Sequence, residues 1–412
     1  MAKRCVVIVG GGAAGFFSAI TCAEAHPDCQ VIILEQGSQV LQKVKISGGG
    51  RCNVTHQCFE AKELLMRYPR GHRELIGPFH HWQARDTVEW FESRGVRLKT
   101  ESDGRMFPVT DSSQTIIDCL LNEAQKLCVE VKLNCELKSV VKQENGCFDL
   151  ELSDGHYMTA DALMLATGGT RAAKGAKLAE SLGHLTIPAV PSLFTLRTKD
   201  GRLQGLAGIS KETVSVFFGQ GEAELRQSGP LLITHEGLSG PAILKLSAWG
   251  ARLFAEKNYI GILRVDWTGG EKAQDLRAMF MRCRKETGKR QLSTQALLGL
   301  PTRLWERLLE HAGIPIGRRW LELKKDEEDS LLQELTQSRF QIDGKSMNKE
   351  EFVTCGGVCT KEIDFRTMES KCCPGLYFSG EILNIDGVTG GFNFQAAWTT
   401  GYLAGKAMGC SA

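Results

Sequence analysis

Residues 5–35 read CVVIVGGGAAGFFSAITCAEAHPDCQVIILE, and this stretch constrains the fold more than any other. A β-branched apolar run leads into Gly10-x-Gly12-x-x-Gly15 and a helical pattern. A second apolar run then ends on Glu35, twenty residues after Gly15. A glycine triplet of this spacing is weak alone. Between a strand and a helix, with a strand-terminal acid at this distance, it specifies a dinucleotide-binding βαβ unit. Gly10 makes the tight turn, Gly12 lets a pyrophosphate reach the backbone, and Gly15 lets the helix pack close to the strand. The helix N-terminus at Ala13 and Ala14 turns unpaired N–H groups and a positive dipole end toward the phosphates. Glu35 accepts from both ribose hydroxyls and repels a 2′-phosphate, so the dinucleotide is FAD or NAD rather than NADP.

With 412 residues, 42% hydrophobic and 24% charged, the chain has room for two or three globular domains. A net charge of +2 announces no nucleic-acid or membrane partner, so any such surface is local. The 15 cysteines are scattered and form no CxxC pair; Cys372 and Cys373 are adjacent, and Cys355 and Cys359 are separated by three residues. That pattern argues against a metal site and a disulfide framework, and for a reducing, cytoplasmic setting. No run reaches the roughly 18 to 20 apolar residues that span a bilayer. The first twenty residues superficially resemble a signal peptide, but three glycines interrupt the apolar run and a strand follows at once, so they read as part of the fold.

Farther along, Ala61–Phe91 reads as helical, a further helix runs to about Cys128, and SDG at 153–155 marks a hairpin between period-2 runs. Strand-like ALMLATGG returns toward the sheet; its Gly168 and Gly169 fit either a turn at the strand end or a close pass by a cofactor. From 191 to 269 short alternating strands with glycine turns form a β-rich insert, for which 336–345 are candidate closing strands. Residues 270–335 are helical and charged. Between Arg277 and Arg319 lie ten Lys or Arg and three Glu. Such a stretch is a solvated face or, with Trp305 and Trp320 beside it, a surface that tracks RNA phosphates and stacks on a base; Trp305 and the helically spaced leucines also fit a core. The expected architecture is α/β, a discontinuous Rossmann-like cofactor domain (1–190 and 346–412) with an inserted β-rich plus helical domain.

Two further glycine clusters need explaining. Residues 45–56 read KISGGGRCNVTH, and 375–405 read GLYFSGEILNIDGVTGGFNFQAAWTTGYLAG. Ordering consecutive glycines costs extra entropy, which favours a role in close backbone approach or positive φ. Gly390-Gly391 opens a helix for which no phosphate role remains, and such a dipole end suits the N1/O2 edge of a flavin. Together with ATGG (166–169), THEGLSGPAILKLS (234–247) and TMESK (367–371), these motifs resemble the bacterial flavoprotein family that includes the 23S rRNA dihydrouridine synthase, the bile-acid enone reductase and the aminoacetone oxidase. The resemblance covers nearly the whole chain, and SGGGRCN is its most specific motif.

The resemblance implies FAD as cofactor. It carries cofactor contact onto Lys43, Ser47, Gly48, Gly49, Gly50, Arg51, Cys52, Asn53, Gly380, Glu381, Asp386, Gly390, Gly391 and Asn393, besides the first glycine turn. Two departures are plain. After ATGG the family often carries a longer Gly- and Pro-containing stretch before the next helix, where this chain has the compact TRAAKGAKLAESLGH. The family pattern GE-x-LD is here GEILN, with Asn384 at the acid's position and Asp386 two residues on. Reducing an activated C=C bond needs a hydride at one carbon and a proton at the other. Cys52 is a candidate proton donor or a small residue packed beneath the ring; His56, Arg105 and His235 are weaker candidates. No second GxGxxG is present, so NAD(P)H, if it is the electron donor, docks transiently. Three activities fit: reduction of a uridine in 23S rRNA through the basic insert, small-molecule enone reduction or amine-type oxidation, and flavin-stabilised RNA binding without turnover.

Overall fold

The computed structural model describes residues 3–169, 174–221, 224–346 and 353–410. The chain divides into two compact units, Met1–Pro191 with Lys349–Ala412, and Ser192–Asn348. No helix among the described residues is long and apolar enough to cross a membrane.

In the first unit, strand β1 (Cys5–Val9) lies between β2 (Gln30–Leu34) and the strand Ala162–Leu165, all parallel. Glu130–Lys132 extends the sheet beyond β2, and Leu376–Phe378 extends it on the other side, both also parallel. Strands buried on both faces have no solvent side on which to alternate, so β1, β2 and Ala162–Leu165 read as unbroken apolar runs. Helix α1 (Ala13–Ala25) is buried from Ala14 to Ala23, which matches its lack of a polar face. It packs against the sheet on one side and the last helix, Phe392–Met408, on the other.

That second contact is made by missing side chains. A Cβ on Gly401 would stand 3.1 Å from Ser18 Oγ and 3.2 Å from the Ala14 carbonyl oxygen; one on Gly405 would stand 2.6 Å from the Ser18 carbonyl oxygen and 2.7 Å from Thr21 Cβ. Gly401 is thus level with residues 14–18 and Gly405 with 18–21, so the two helices run parallel. Carried back along the axis, the same register starts the last helix about six residues, or roughly 9 Å, ahead of Ala13. Two positive helix ends therefore point the same way, staggered along one direction.

The segment Ala61–Phe91 is three short helices (Ala61–Leu65, Ile76–His81, Ala84–Glu92) rather than a continuous stretch. It breaks at Gly71, whose φ is +84° and whose Cβ would strike Ile385 at 2.5 Å, and again at the extended Trp82. The 153–155 hairpin joins Phe148–Leu152 to Tyr157–Ala160.

The second unit is a closed six-stranded barrel. Its last strand, Ser338–Ser346, pairs with Ile260–Asp266 on one side and Thr195–Arg197 on the other, closing it. The helices Ala273–Thr287, Thr302–His311 and Lys325–Gln337 share the barrel's core, with Phe280, Trp305 and Leu335 buried in one cluster with Val216, Leu263 and Phe340. This corrects the stacking role offered for the tryptophans. Trp305 is fully buried, its indole donating to the Leu292 carbonyl at 2.9 Å, and Trp320 is also buried. Three of the ten cations of the basic stretch are neutralised by the acidic helix, Arg277 pairing with Asp329, Arg284 with Glu328 and Arg318 with Glu327.

If the helix contact is as tight as these distances require, Gly405→Val will lower stability by about 3 kcal/mol in urea unfolding. Gly77→Ala, where an added Cβ meets nothing within 4 Å, will stay within about 0.5 kcal/mol of wild type.

Candidate functional site

The first glycine turn is shaped as its spacing requires. Gly10 has φ +114°, and a Cβ there would lie 2.4 Å from the Ala166 carbonyl oxygen. A Cβ on Gly15 would come to 1.9 Å of the Gly10 carbonyl oxygen, so strand and helix could not close. At Gly12, the residue preceding α1, an added Cβ would meet nothing within 4 Å, leaving the helix N-terminus open to an anion. Glu35 accepts from the Gly11 amide at 2.8 Å and the Gly37 amide at 2.7 Å. Each oxygen keeps a lone pair for a further donor.

A second group gathers below Ala14. Gly380 has φ +75°, and its Cβ would touch the Ala14 Cβ at 2.8 Å. Glu381 pairs with Lys43 at 2.5 Å and accepts from the Thr354 amide at 2.8 Å. Gly169 sits against these groups, since its Cβ would strike Thr354 Oγ1 at 2.3 Å and Glu381 Oε1 at 2.8 Å, whereas Gly168, at φ +74°, faces open space. Thr354 Oγ1 and Asn384 Oδ1 are both buried without a hydrogen-bond partner. Thr354 carries no sequence signal. Asn384 does, as the residue standing where the family acid belongs.

The SGGGRCN segment ends helix α2 (Gln42–Gly50) in a left-handed run: Gly48, Gly49 and Gly50 have φ of +58°, +69° and +84°. Gly49 and Gly50 face open space, so a flat group can approach this backbone closely. The Ser47 hydroxyl donates to the Val44 carbonyl at 3.0 Å, and the Ser47 backbone carbonyl accepts from the Cys52 amide at 3.0 Å. Asn53, with its amide turned so that the oxygen meets the Gly391 N–H at 3.0 Å, donates to the Thr55 carbonyl at 2.9 Å. It pins the loop to the N-terminus of the last helix. Gly391 has no room for a side chain there, its Cβ falling 2.7 Å from the Thr55 carbonyl oxygen. Asn393 likewise closes its own loop, accepting from the Gly387 amide at 2.8 Å and donating to the Gly387 carbonyl at 3.0 Å. The side chains of Asn53 and Asn393 are therefore committed to positioning the backbone around them.

Other expectations need correction. Asp386 is fully buried and held by the Arg70 guanidinium, so it is not presented to a ligand. Arg51 folds back over the Phe107 ring at 4.1 Å and pairs with Glu101 at 2.6 Å. Arg105 shares Glu101 at 3.0 Å and takes Asp103 at 2.7 Å. Cys52 is fully buried with φ +60°; burial pushes its thiol up to about 12, opposed only by a hydrogen bond with Ser47. It fits the packed small residue and not an acid working near neutrality. His56 stacks on Phe392 at 4.8 Å, beside Gly390, whose Cβ would reach its ring at 3.4 Å. Desolvation lowers the His56 pKa against the Asp103 carbonyl, which Nε2 meets at 3.0 Å. The neutral ring thus donates through Nε2 and leaves Nδ1 a buried, unpartnered acceptor. His235 belongs to the second unit, on the turn between Thr234 and Gly237.

Away from these residues, His184, Glu362 and Cys372 bring ligand-type atoms within 4.8 Å of one another. Ser370 Oγ accepts from the Cys372 and Cys373 amides, so its own proton goes to His184 Nε2. His184 Nδ1–H then donates to Glu362 at 3.0 Å. The imidazole is committed at both nitrogens, and the group reads as a structural clasp.

Open glycine backbone at Gly12 before α1 and at Gly49 and Gly50 in the loop clasped to the last helix, with unpartnered Thr354 Oγ1 and Asn384 Oδ1, fits an elongated cofactor carrying phosphates at one end and a ring at the other. The class so defined is an FAD-dependent oxidoreductase. Residues 4–407 match the model of the HI0933-like protein Rossmann domain, and the chain belongs to that family. It is 32% identical to the ribosomal RNA dihydrouridine synthase of Escherichia coli (strain K12), covering 97% of this chain and 96% of the relative. It is 31% identical to the 3-dehydro-bile acid delta(4,6)-reductase of Clostridium scindens, covering 97% and 98%. Among solved structures, the 3-ketosteroid-delta4-(5alpha)-dehydrogenase of Rhodococcus jostii RHA1 shares the fold at a TM-score of 0.53, with 14% identity over 100% of this chain and 98% of that one.

Removing the Asn53 clasp by Asn53→Ala should cost about 1 to 2 kcal/mol in urea unfolding, because it frees a helix N-terminus and leaves buried groups unpaired. Cys52 should resist iodoacetamide at pH 8 in the native protein and label fully in urea, read by peptide mass spectrometry.

Proposed function

We propose that the protein reduces an activated C=C bond and that its substrate is a uridine of ribosomal RNA, converted to dihydrouridine. The observation that carries the FAD site is the stagger of the two parallel helix N-termini, joined by the Asn53-clasped glycine loop. The rRNA reading is supported by the dihydrouridine synthase relative, which aligns from end to end at 32% identity. In this reading Gly10, Gly12, Ala13 and the α1 N-terminus hold the pyrophosphate and Glu35 the ribose. Lys43, Thr354, Glu381 and Asn384 line the intervening chain, and Gly48–Gly50 with Gly390–Gly391 flank the ring. When bound, FAD supplies a hydride to one carbon of the double bond.

The residues of this chain provide the setting. The dipole of the last helix favours negative charge at its N-terminus, and Asn53 and Asn393 hold that end in place. His56 Nδ1 is an acceptor at neutral pH. Cys52 is too weak an acid and Arg105 is engaged by two carboxylates, so neither supplies the second hydrogen in this scheme. NAD(P)H, docking transiently, is the electron donor in this scheme.

The similarity to the bile-acid reductase supports a second reading, reduction of a small conjugated enone. Both are tested on ribosomal RNA from a strain lacking this gene, digested to nucleosides and assayed for dihydrouridine by mass spectrometry. The expected result is loss of dihydrouridine, restored by wild type and by Cys52→Ala to within about threefold. Unchanged dihydrouridine in the deletion strain would sink the rRNA assignment and favour the enone. Failure of Cys52→Ala alone, with its FAD content intact, would return Cys52 to the chemistry.

A further inference from the structure

The barrel of the second unit holds a cleft of about 470 Å³. Its floor follows from strand register. Arg197 ends the strand Thr195–Arg197 with Gly237 opposite it on one side and Gly344 on the other. Their φ values are +151° and +156°, and a Cβ on Gly237 would lie 2.2 Å from the Leu196 carbonyl oxygen. Cross-strand partners project to the same face, so this row of three residues carries a single side chain. The Arg197 guanidinium lies across Gly344, where an added Cβ would come within 3.1 Å of Nη2.

The polar groups around it are only partly matched to one another. Asp200 is already held by Arg202, through Nε at 2.9 Å and Nη2 at 2.7 Å. Among the described residues Lys199 and His235, both lining the cleft and exposed, make no ion pair; Glu236 is an exposed carboxylate at the rim. Asp343 Oδ1 is buried with no hydrogen bond; Arg197 Nε stands 3.5 Å away as an ion-pair partner only. The cleft thus offers a forked cation and an ammonium to an anion, and a buried acceptor to a donor close by. A ribonucleotide presents that combination, a phosphate beside a ribose hydroxyl.

We propose that this cleft binds one ribonucleotide of a single-stranded RNA substrate, Arg197 and Lys199 holding the phosphate and Asp343 accepting from the 2′-hydroxyl. The inference rests on the reading of RNA as substrate, and it places an RNA-binding surface on the barrel besides the basic helical stretch.

The test uses the full-length, FAD-loaded protein and fluorescein-labelled oligouridylate, followed by anisotropy over a salt series. Arg197→Ala with Lys199→Ala should weaken binding at least tenfold and lower the log–log salt slope by about 0.7 for each phosphate that the variant no longer neutralises. Lys285→Ala with Lys289→Ala, exposed positions on and just beyond the basic helix, should stay within twofold. Asp343→Ala should narrow the preference for oligouridylate over its deoxy counterpart. Equal FAD content and equal unfolding midpoints exclude misfolding. If the cleft variant binds RNA like wild type while wild type binds tightly, the cleft assignment is overturned and RNA remains the substrate. If wild type ignores the oligonucleotide, or the variant loses only free UMP, the proposal also falls. The dihydrouridine assay then decides separately whether ribosomal RNA is modified.

Discussion

The first unit depends on the approach of α1 to the last helix, which Gly401 and Gly405 permit by carrying no side chain. This packing joins residues more than 380 positions apart and aligns the two helices in parallel. The alignment fixes where the two positive helix ends stand relative to one another. A shift of one helical turn would move one of them by about 5.4 Å. The proposed cofactor site is therefore a property of helix register before it is a property of any single side chain.

Around that register the polar groups divide into two kinds. Glu35, Lys43 and Glu381 are charged groups at the edges of the motifs, already satisfied by backbone amides or by each other. Asn53, Asn393 and the Arg70–Asp386 pair are internal fasteners that hold glycine-rich backbone in conformations it would not keep alone. A run of glycines at positive φ is costly to order, and here the ordering comes from neighbouring side chains rather than from the run itself. That separation explains why an acid or amide within a glycine-rich motif need not face the ligand.

The sequence made the βαβ unit legible because its signal is local: a strand, three glycines, a helix and an acid within some thirty residues. The interruption of the fold by an insert was legible for the same reason, since the second flavin-type motif lies near the far end of the chain. Side-chain roles were harder to read. Asn53 meets Gly391 and Arg70 meets Asp386 across more than 300 residues, and spacing carries no information about such pairs. The sign of φ at Cys52 and the burial that raises its thiol are tertiary effects. In the charge run between Arg277 and Arg319, the pairing of Arg277, Arg284 and Arg318 was not legible because their carboxylates follow the run in sequence and only folding brings them back. Asn384 was the exception: a departure from pattern marked a position where the structure holds an unpartnered buried oxygen.

The parallel pairing of α1 with the last helix also has a consequence for biosynthesis. The barrel unit is contiguous in the chain and can complete its core while translation continues. Helix α1, apolar on every side, has its partner withheld until residue 408 has been made, an interval of roughly 20 to 80 s at 5–20 residues per second. Through that interval the nascent first unit carries an unmatched apolar surface, which makes it a client for whatever holds unfinished chains in solution.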